Sequence, residues 1–383
     1  MKVLHLISSG GMYGAENVVA ALARDLQRMG HEASVGIIEN THCPPNDVAS
    51  QFETRGLKVL SIPCRGRADR KTVRAIREIL LSKDIGLLHT HGYKADIYGY
   101  LAARKLGMPI VATRHSQLAK RNGPAVWAYE LLDVQFLRRF GWVVAVSHSI
   151  EEETRRIGIA PEKVSTIANG IDLLPFELAS QERKVPAGDR LRVGTVGRLI
   201  ERKGIDRLLK AARIILNEFP RTHFVIVGDG PYRESLEQLA KNLDIEGDVS
   251  FEGTLTDMAS VYANVDIFVL PSMEEGLPIA VLEALASQRA VVATSVGAIP
   301  ELIIPGQTGI LVRPGEVDEL ADAVRSFILD PALRRELGKR GANLVRSQYS
   351  SERMSQSYFQ LYEKLVKHKS SQFPELSVLS TGL

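Results

Sequence analysis

The stretch "EEGLPIAVLEA", residues 274–284, follows the apolar run "DIFVLP", residues 266–271. The first run has the length and the β-branched and aromatic content of a buried strand. The second reads as a buried helix through Pro278, Ile279, Ala280, Val281, Leu282 and Ala284. Pro278 suits the first turn of that helix, where its missing N–H costs nothing. A strand feeding a helix through a short loop is half of a βαβ unit, the building block of parallel sheets. Two carboxylates interrupt the apolar pattern, Glu275 before the helix and Glu283 within it. A carboxylate in such a place is expensive unless something pairs with it, so both need a chemical reason.

The same alternation extends in both directions. In the second half, "LRVGTVGR" (191–198), "THFVIVGDG" (222–230) and "AVVATS" (290–295) read as strands. "GIDRLLKAARIIL" (204–216) and "YRESLEQLAKNL" (232–243) read as helices between them. In the first half, "KVLHLIS" (2–8), "EASVGII" (32–38), "GLLHTH" (86–91), "PIVATRH" (109–115) and "WVVAVS" (142–147) read as strands. "AENVVAALARDLQRMG" (15–30) is an amphipathic helix, and that sheet ends near "KVSTIANGID" (163–172). The polar stretch "LASQERKVPAGDR" (178–190) has nothing to bury, and the pattern restarts after it. The fold class is therefore α/β, with two Rossmann-like doubly wound parallel-sheet domains in series, 1–170 and 171–350. The late amphipathic helix 353–366 is expected to pack back on the first domain, and the tail 367–383 to be poorly ordered.

Composition narrows the function classes. A chain of 383 residues is too long for one comfortable core. A net charge of +3 does not argue for nucleic acid. No stretch approaches the ~18 to 20 apolar residues of a membrane helix. The N-terminal "MKVLHLISSGG" has too short an apolar core for a signal peptide and reads better as a first strand. The two cysteines, Cys43 and Cys64, make no disulfide framework and fit a reduced, cytoplasmic setting. The basic stretch 65–83, with "FLRRF" (136–140), reads as a solvated helix face that is also compatible with peripheral docking on an anionic membrane.

In doubly wound folds, ligands bind in the crevice at the carboxyl ends of the strands. Three strand ends of the second half carry chemistry there: Gly197 and Arg198, with Lys203 in the next loop; Gly228, Asp229 and Gly230; and "PSMEEGLP". A helix N-terminus favours an anion. Arg198 grips phosphate bidentately and Lys203 acts as a point charge. Glu283 lies five residues past Pro278, about 7 Å along the helix at ~1.5 Å per residue. Carboxylates accept from vicinal hydroxyls, and a nucleotide sugar carries hydroxyls on both sides of its diphosphate. On this reading Glu283 holds a ribose and Glu275 a sugar. In the first half, His91 ends one strand and His115 another; if those strands are neighbours, both imidazoles meet at one edge. His89 and His91 alone, without a third ligand, make a poor metal site, and one of them is expected to face the core. The loop "SSGGMYGAE" holds Gly10, Gly11 and Gly14, which let backbone approach a ligand.

With Glu275 and Glu283 in "EEGLPIAVLEA", Arg198 and Lys203 in "VGRLIERKG", "VGDGP", "GGMYGAE" and "ANGID", the chain resembles a retaining GT-B glycosyltransferase of the family-four type over residues 2–366. The resemblance implies two domains facing across a cleft and a nucleoside diphosphate-sugar donor. It implies that Arg198 and Lys203 bind the phosphates, with backbone of Gly276 and Leu277. It gives Glu283 the ribose, Glu275 the sugar, Gly11 a place near the donor phosphate, Glu16 an acceptor-facing place, and His91 a bond to a donor hydroxyl. His115 joins the acceptor side. It also implies retention, by front-face attack in which the leaving phosphate takes the acceptor's proton, and a saccharide or lipid-linked saccharide acceptor in polysaccharide or glycolipid synthesis. No Asp-x-Asp occurs, so Arg198 and Lys203 are expected to replace a metal, and no cofactor or metal is expected. Base contacts are expected around "FEGTL" (251–255) and acceptor contacts from loops 11–16, 64–70 and 115–127.

Other readings of the same residues are an NAD-dependent Rossmann enzyme, a non-catalytic sugar-binding protein, and a GT-B sugar-nucleotide epimerase or phosphorylase. The first has Glu39 at the end of its second strand, but its glycines run Gly-Gly-x-x-Gly, and it leaves Glu275, Glu283, Arg198 and Lys203 without a task.

Overall fold

A computed structural model of the chain describes residues 1–8, 10–41, 47–66, 68–116, 124–182 and 190–372. It forms two compact units. Met1–Gly170, together with the chain from Ser351 onward, makes one, and Ile171–Ser350 makes the other.

The first unit is built on β1 (Lys2–Ile7), β2 (Glu32–Asn40), β3 (Lys58–Cys64), β4 (Leu87–His91), β5 (Ile110–Arg114), β6 (Trp142–Ala145) and β7 (Val164–Thr166). All pairings are parallel, in the order β3-β2-β1-β4-β5-β6-β7. Every residue of β4 and β5 is buried, as expected of central strands covered on both faces. β3 holds Pro63, which cannot donate to a ladder, and β3 is an edge strand. The strand order reverses direction between β1 and β4, where Ile7 pairs with His91. This is the switch point at which the carboxyl ends open a crevice.

The helix expected over 353–366 runs Ser351–Gln372, and the rest of the tail, 373–383, lies outside the described residues. This helix docks on the first sheet through two tyrosines one turn apart. Tyr358 OH lies 2.9 Å from Thr113 Oγ1, and Tyr362 OH lies 2.6 Å from His89 Nδ1. Ser355 Oγ donates to Asp25 Oδ2 at 3.2 Å. The basic helix Arg70–Ser82 buries Thr72, Ile76 and Leu80 and turns its cationic side outward.

The second unit carries β8 (Leu191–Val196), β9 (Thr222–Val227), β10 (Val249–Gly253), β11 (Ile267–Leu270), β12 (Ala290–Thr294) and β13 (Ile310–Val312). The order is β10-β9-β8-β11-β12-β13, all parallel, with the switch point between β8 and β11. Its core joins Val193, Phe224, Ile226, Ile267, Val269 and Val292 of the sheet to Leu208, Leu209 and Phe327 of the helices. The polar stretch at 183–189 lies outside the described residues, and so does Cys43; Cys64 is a buried free thiol. No helix among the described residues is long and apolar enough to cross a membrane.

Candidate functional site

At the switch point of the second unit, β11 ends at Leu270 and the helix Ile279–Ala286 begins nine residues later. Pro278 is the N-cap of this helix, one position earlier than expected, with ψ 116°. Its carbonyl accepts from Val281 N–H at 3.2 Å, so the proline opens the helix from outside. Between strand and helix lies Glu275, whose side chain is only 7% exposed. Lys203 Nζ donates to its Oε1 at 2.6 Å, and Ser272 Oγ donates to the same oxygen at 2.6 Å. Thr294, at the end of β12, in turn donates its hydroxyl to the Ser272 carbonyl. The carboxylate therefore stands in the protein at the cost of one ion pair and one fixed hydroxyl.

Backbone clamps hold this loop from both sides. Met273 N–H donates to Arg202 O at 2.7 Å, and Ala298 N–H donates to Gly276 O at 3.0 Å. Gly297 has φ 55°, and a Cβ there would lie 2.0 Å from the Glu275 carbonyl oxygen. Leu277 is buried. Arg198 is exposed just past β8, beside Gly197. Glu283, partly buried in the helix, accepts from Tyr262 OH at 2.9 Å. Tyr262 is fully buried, and burial first and the Glu283 carboxylate second push its phenol well above the usual range. The unit thus brings Lys203 onto Glu275, in a loop that also carries Gly276 and Leu277, with Arg198 on the neighbouring strand end and Glu283 farther along the helix. Ser272 and Tyr262 escaped the sequence reading. Ser272 sits in a loop with no periodicity to single it out, and Tyr262 is 21 residues from its partner.

At the switch point of the first unit the structure assembles four imidazoles. β4 and β5 are neighbours, as the placement of His91 and His115 required. His5 Nδ1 lies 3.2 Å from His91 Nε2, and His91 Nδ1 lies 3.1 Å from His115 Nε2. His89 Nε2 lies 2.7 Å from Thr113 Oγ1, while its Nδ1 meets Tyr362 OH. One of His89 and His91 is expected from the sequence to face the core; both are buried, and their ring centroids lie 4.1 Å apart, because residues two apart on a strand share a face. Burial pushes His5 down to about 3 and His115 to about 4. It holds His89 and His91 well below the usual imidazole range, with neighbouring imidazoles adding to the effect. All four are neutral near pH 7.

Ligand atoms of His5, His89 and His91 lie within 4.8 Å of one another, so the third imidazole missing from the sequence reading is present. Neutral imidazoles are what a metal requires. Both nitrogens of His89 and both of His91 are already hydrogen-bonded, however, and a metal would have to break those bonds. The arrangement is better matched to a hydrogen-bonded core than to a metal centre.

Glu16 is buried and its Oε2 accepts from Tyr13 N–H at 3.0 Å, closing the N-terminus of the helix Gly14–Arg28. Gly11 lies against the Tyr13 ring, whose Cζ and hydroxyl oxygen would stand 2.8 Å from a Cβ. Of the loops expected to meet an acceptor, Arg67 and residues 117–123 lie outside the described residues.

The family model described as Glycosyltransferase Family 4 matches residues 12–173, and that described as Glycosyl transferases group 1 matches residues 178–344. Alpha-D-kanosaminyltransferase of Streptomyces kanamyceticus is 30% identical over 291 residues, covering 70% of this chain and 75% of its own. A phosphatidylinositol N-acetylglucosaminyltransferase polypeptide of Arabidopsis thaliana is 26% identical over 366 residues, covering 92% of this chain and 79% of its own. Among solved structures, Anabaena HepE in complex with UDP-glucose matches with a TM-score of 0.84 at 22% identity, over 95% of this chain and 100% of that one. At that identity the likeness speaks for the fold.

Proposed function

Because the chain belongs to the family-four, group 1 glycosyltransferases with the GT-B fold, we propose that it moves a sugar, with retention and without a metal, from a nucleoside diphosphate-sugar to a hydroxyl of a glycan or glycolipid. A UDP-sugar is the preferred donor, since Anabaena HepE was crystallised with UDP-glucose. A lipid-linked acceptor is favoured by the phosphatidylinositol glycosyltransferase among the relatives. That acceptor and the outward cationic side of the helix Arg70–Ser82 together support work at the inner face of a membrane by peripheral contact.

The observation that carries the reading is the ion pair between Lys203 and Glu275 at a strand end, just before a helix that also bears the Tyr262-held Glu283. In the reaction the anomeric bond to the diphosphate breaks, and negative charge grows on the leaving phosphate. Arg198, Lys203 and the backbone N–H groups of Gly276 and Leu277 stabilise that charge without reorganising, which is the main source of rate in such sites. Glu275 Oε1 is occupied by Lys203 and Ser272, and its other oxygen accepts from sugar hydroxyls. Glu283 accepts from the ribose. In the first unit, Gly11 belongs to the donor's side, and Glu16 and His115 to the acceptor's; His91, expected to bond a donor hydroxyl, has both ring nitrogens in bonds to His5 and His115 and acts through them. The departing phosphate takes the acceptor's proton, so no carboxylate is needed as nucleophile.

A thermal-shift panel of UDP, GDP and ADP and their sugar conjugates, against NAD and without metal, tests the reading. A ligand at a hundred times its dissociation constant stabilises by about 2.7 kcal/mol. Selective stabilisation by one nucleoside diphosphate, with turnover unchanged by a chelator, supports it. A response to NAD alone overturns it.

A further inference from the structure

The three imidazoles His5, His91 and His115 form an unbranched chain across the carboxyl edge of the first sheet. The links are His5 Nδ1 to His91 Nε2 and His91 Nδ1 to His115 Nε2. One nitrogen remains at each end. His5 Nε2 and His115 Nδ1 are both shut off from solvent and, among the described residues, make no hydrogen bond. A neutral imidazole carries one proton, so it donates from one nitrogen and accepts at the other. Fixing the direction of one link therefore fixes the whole chain. Either the protons point from His5 towards His115, or they all point back.

The two ends are not equivalent. His5 sits inside β1, with no exposed surface. His115 follows β5, is partly exposed, and is next to the exposed Ser116. A buried N–H without a partner is rarer and costlier than an unsatisfied lone pair. The dead end at His5 is thus the place for the bare lone pair. His5 then carries its proton on Nδ1 and donates to His91. His91 carries its proton on Nδ1 and donates to His115. The last proton falls on His115 Nδ1. A buried, unpartnered donor at the edge of a ligand crevice calls for an explanation, and a ligand oxygen supplies it.

We infer that His5 is a positioning residue which, through His91, holds His115 as a preset Nδ1–H donor to an oxygen of a hydroxyl-bearing ligand bound on the first unit. In the proposed reaction, on which this inference rests for the ligand's identity, that oxygen belongs to a sugar hydroxyl. His5 touches no ligand. It acts by removing the second tautomer of His115, so that the donor is in place before binding and its ordering costs nothing at that moment. The second imidazole network, Tyr362 OH to His89 to Thr113 and Tyr358 OH, shares ring contacts with this chain but no hydrogen bond among the described residues.

Nitrogen-15 spectra of histidine-labelled full-length protein distinguish the two neutral tautomers of each ring, and need no substrate. The expected result is a single Nδ1–H tautomer at His115 in the unmodified chain. His5→Leu removes the donor that sets the direction, and His115 is expected to show both tautomers. His5→Asn, whose amide N–H can stand where Nδ1 stood, is expected to restore the single tautomer, which a merely space-filling role would not do. Transfer to the acceptor should fall about tenfold in His5→Leu, the loss of one ordered hydrogen bond, and recover in His5→Asn. UDP binding, measured calorimetrically, should be the same in all three. An Nε2–H tautomer at His115 in the unmodified chain, or an unchanged tautomer in His5→Leu, overturns the inference. Absence of UDP binding in the unmodified chain overturns the functional reading instead and leaves the tautomer result to decide the chain.

Discussion

Lys203 Nζ lies 2.6 Å from Glu275 Oε1, and the two side chains are 18% and 7% exposed. The pair is asymmetric, and its two halves should fail differently. Lys203 has a long stem and some solvent access, so without Glu275 its ammonium can swing to water. Glu275 has no such exit. In Lys203→Met it keeps, among the described residues, the Ser272 hydroxyl as its side-chain partner, and breaking a partly desolvated pair from that side costs up to about 3 kcal/mol. Lys203→Met should therefore lower Tm more than Glu275→Ala. Nucleotide binding should follow the same order, and only transfer should reverse it. On the proposed assignment Lys203→Met removes a charge-assisted bond to phosphate, about 1.5–3 kcal/mol, or roughly 10- to 150-fold in the Kd of UDP. Glu275→Ala should nearly abolish transfer while leaving that Kd within a few-fold. Surviving activity in Glu275→Ala would remove the sugar-side assignment.

Gly297 controls the same loop from its other side. An alanine there would be strained at φ 55° and would place Cβ 2.0 Å from a backbone oxygen of Glu275, which cannot rotate away. Gly306 is a matched control, with φ 72° and nothing within 4 Å of its Cβ position. Each substitution carries about 1 kcal/mol of left-handed strain. Gly297→Ala alone displaces the Glu275 loop. Its kcat should fall at least tenfold, with Gly306→Ala close to the unmodified enzyme. Equal activity in the two variants would mean that the loop tolerates the shift and that Glu275 is not finely placed.

Tyr262 touches no solvent and donates to Glu283 at 2.9 Å. Tyr262→Phe keeps the ring and its T-shaped contact with Phe268 and removes only the hydroxyl. Glu283 then loses one fixed partner and, on the proposed assignment, some of its orientation towards ribose. A net hydrogen bond is worth about 1 kcal/mol, so the Kd of UDP should rise about fivefold. Uracil and free phosphate should be unaffected, since neither carries a ribose. If Tyr262→Phe weakens all three alike, Glu283 is structural and the ribose assignment is lost.

How much of this was open to a reader of the sequence depended on distance along the chain. Glu275, Glu283 and Pro278 lie within nine residues, and strand-to-helix periodicity places them without help. The alternation of apolar runs likewise gives both parallel sheets. β3 is harder, because Pro63 weakens its strand signal, and β13 has three residues, too few for any period. The partners of the site residues were hidden for a different reason. Tyr262 and Gly297 reach the helix or loop through the fold, and no local pattern distinguishes the tyrosine from an ordinary core ring; Ser272 is only three residues from Glu275, but a lone hydroxyl in a loop has no period to mark it. His5 meets His91 only because the strand order puts β1 beside β4. A residue 86 positions away is invisible until that order is known.

The buried imidazoles also predict acid sensitivity. An unfolded chain binds protons at each histidine near pH 6.5. In the folded chain burial holds His5 at about 3 and His115 at about 4, with His89 and His91 also well below the ordinary value. Between those limits the unfolded state binds more protons, so stability falls as pH falls. Above pH 6.5 neither state binds them and the effect vanishes. Each group held fully neutral contributes a slope of about 1.4 kcal/mol per pH unit below 6.5. Several such groups together approach the whole stability of a typical domain before pH 4 is reached. Tm should be flat from pH 8 to 7 and drop steeply below 6. In His5→Asn one proton is removed from the balance, and the slope of stability against pH between 6 and 4 should fall by about 1.4 kcal/mol per unit. A Tm that holds level down to pH 5 would mean that these imidazoles charge inside the folded protein, and the neutral chain from His5 to His115 would then have no basis.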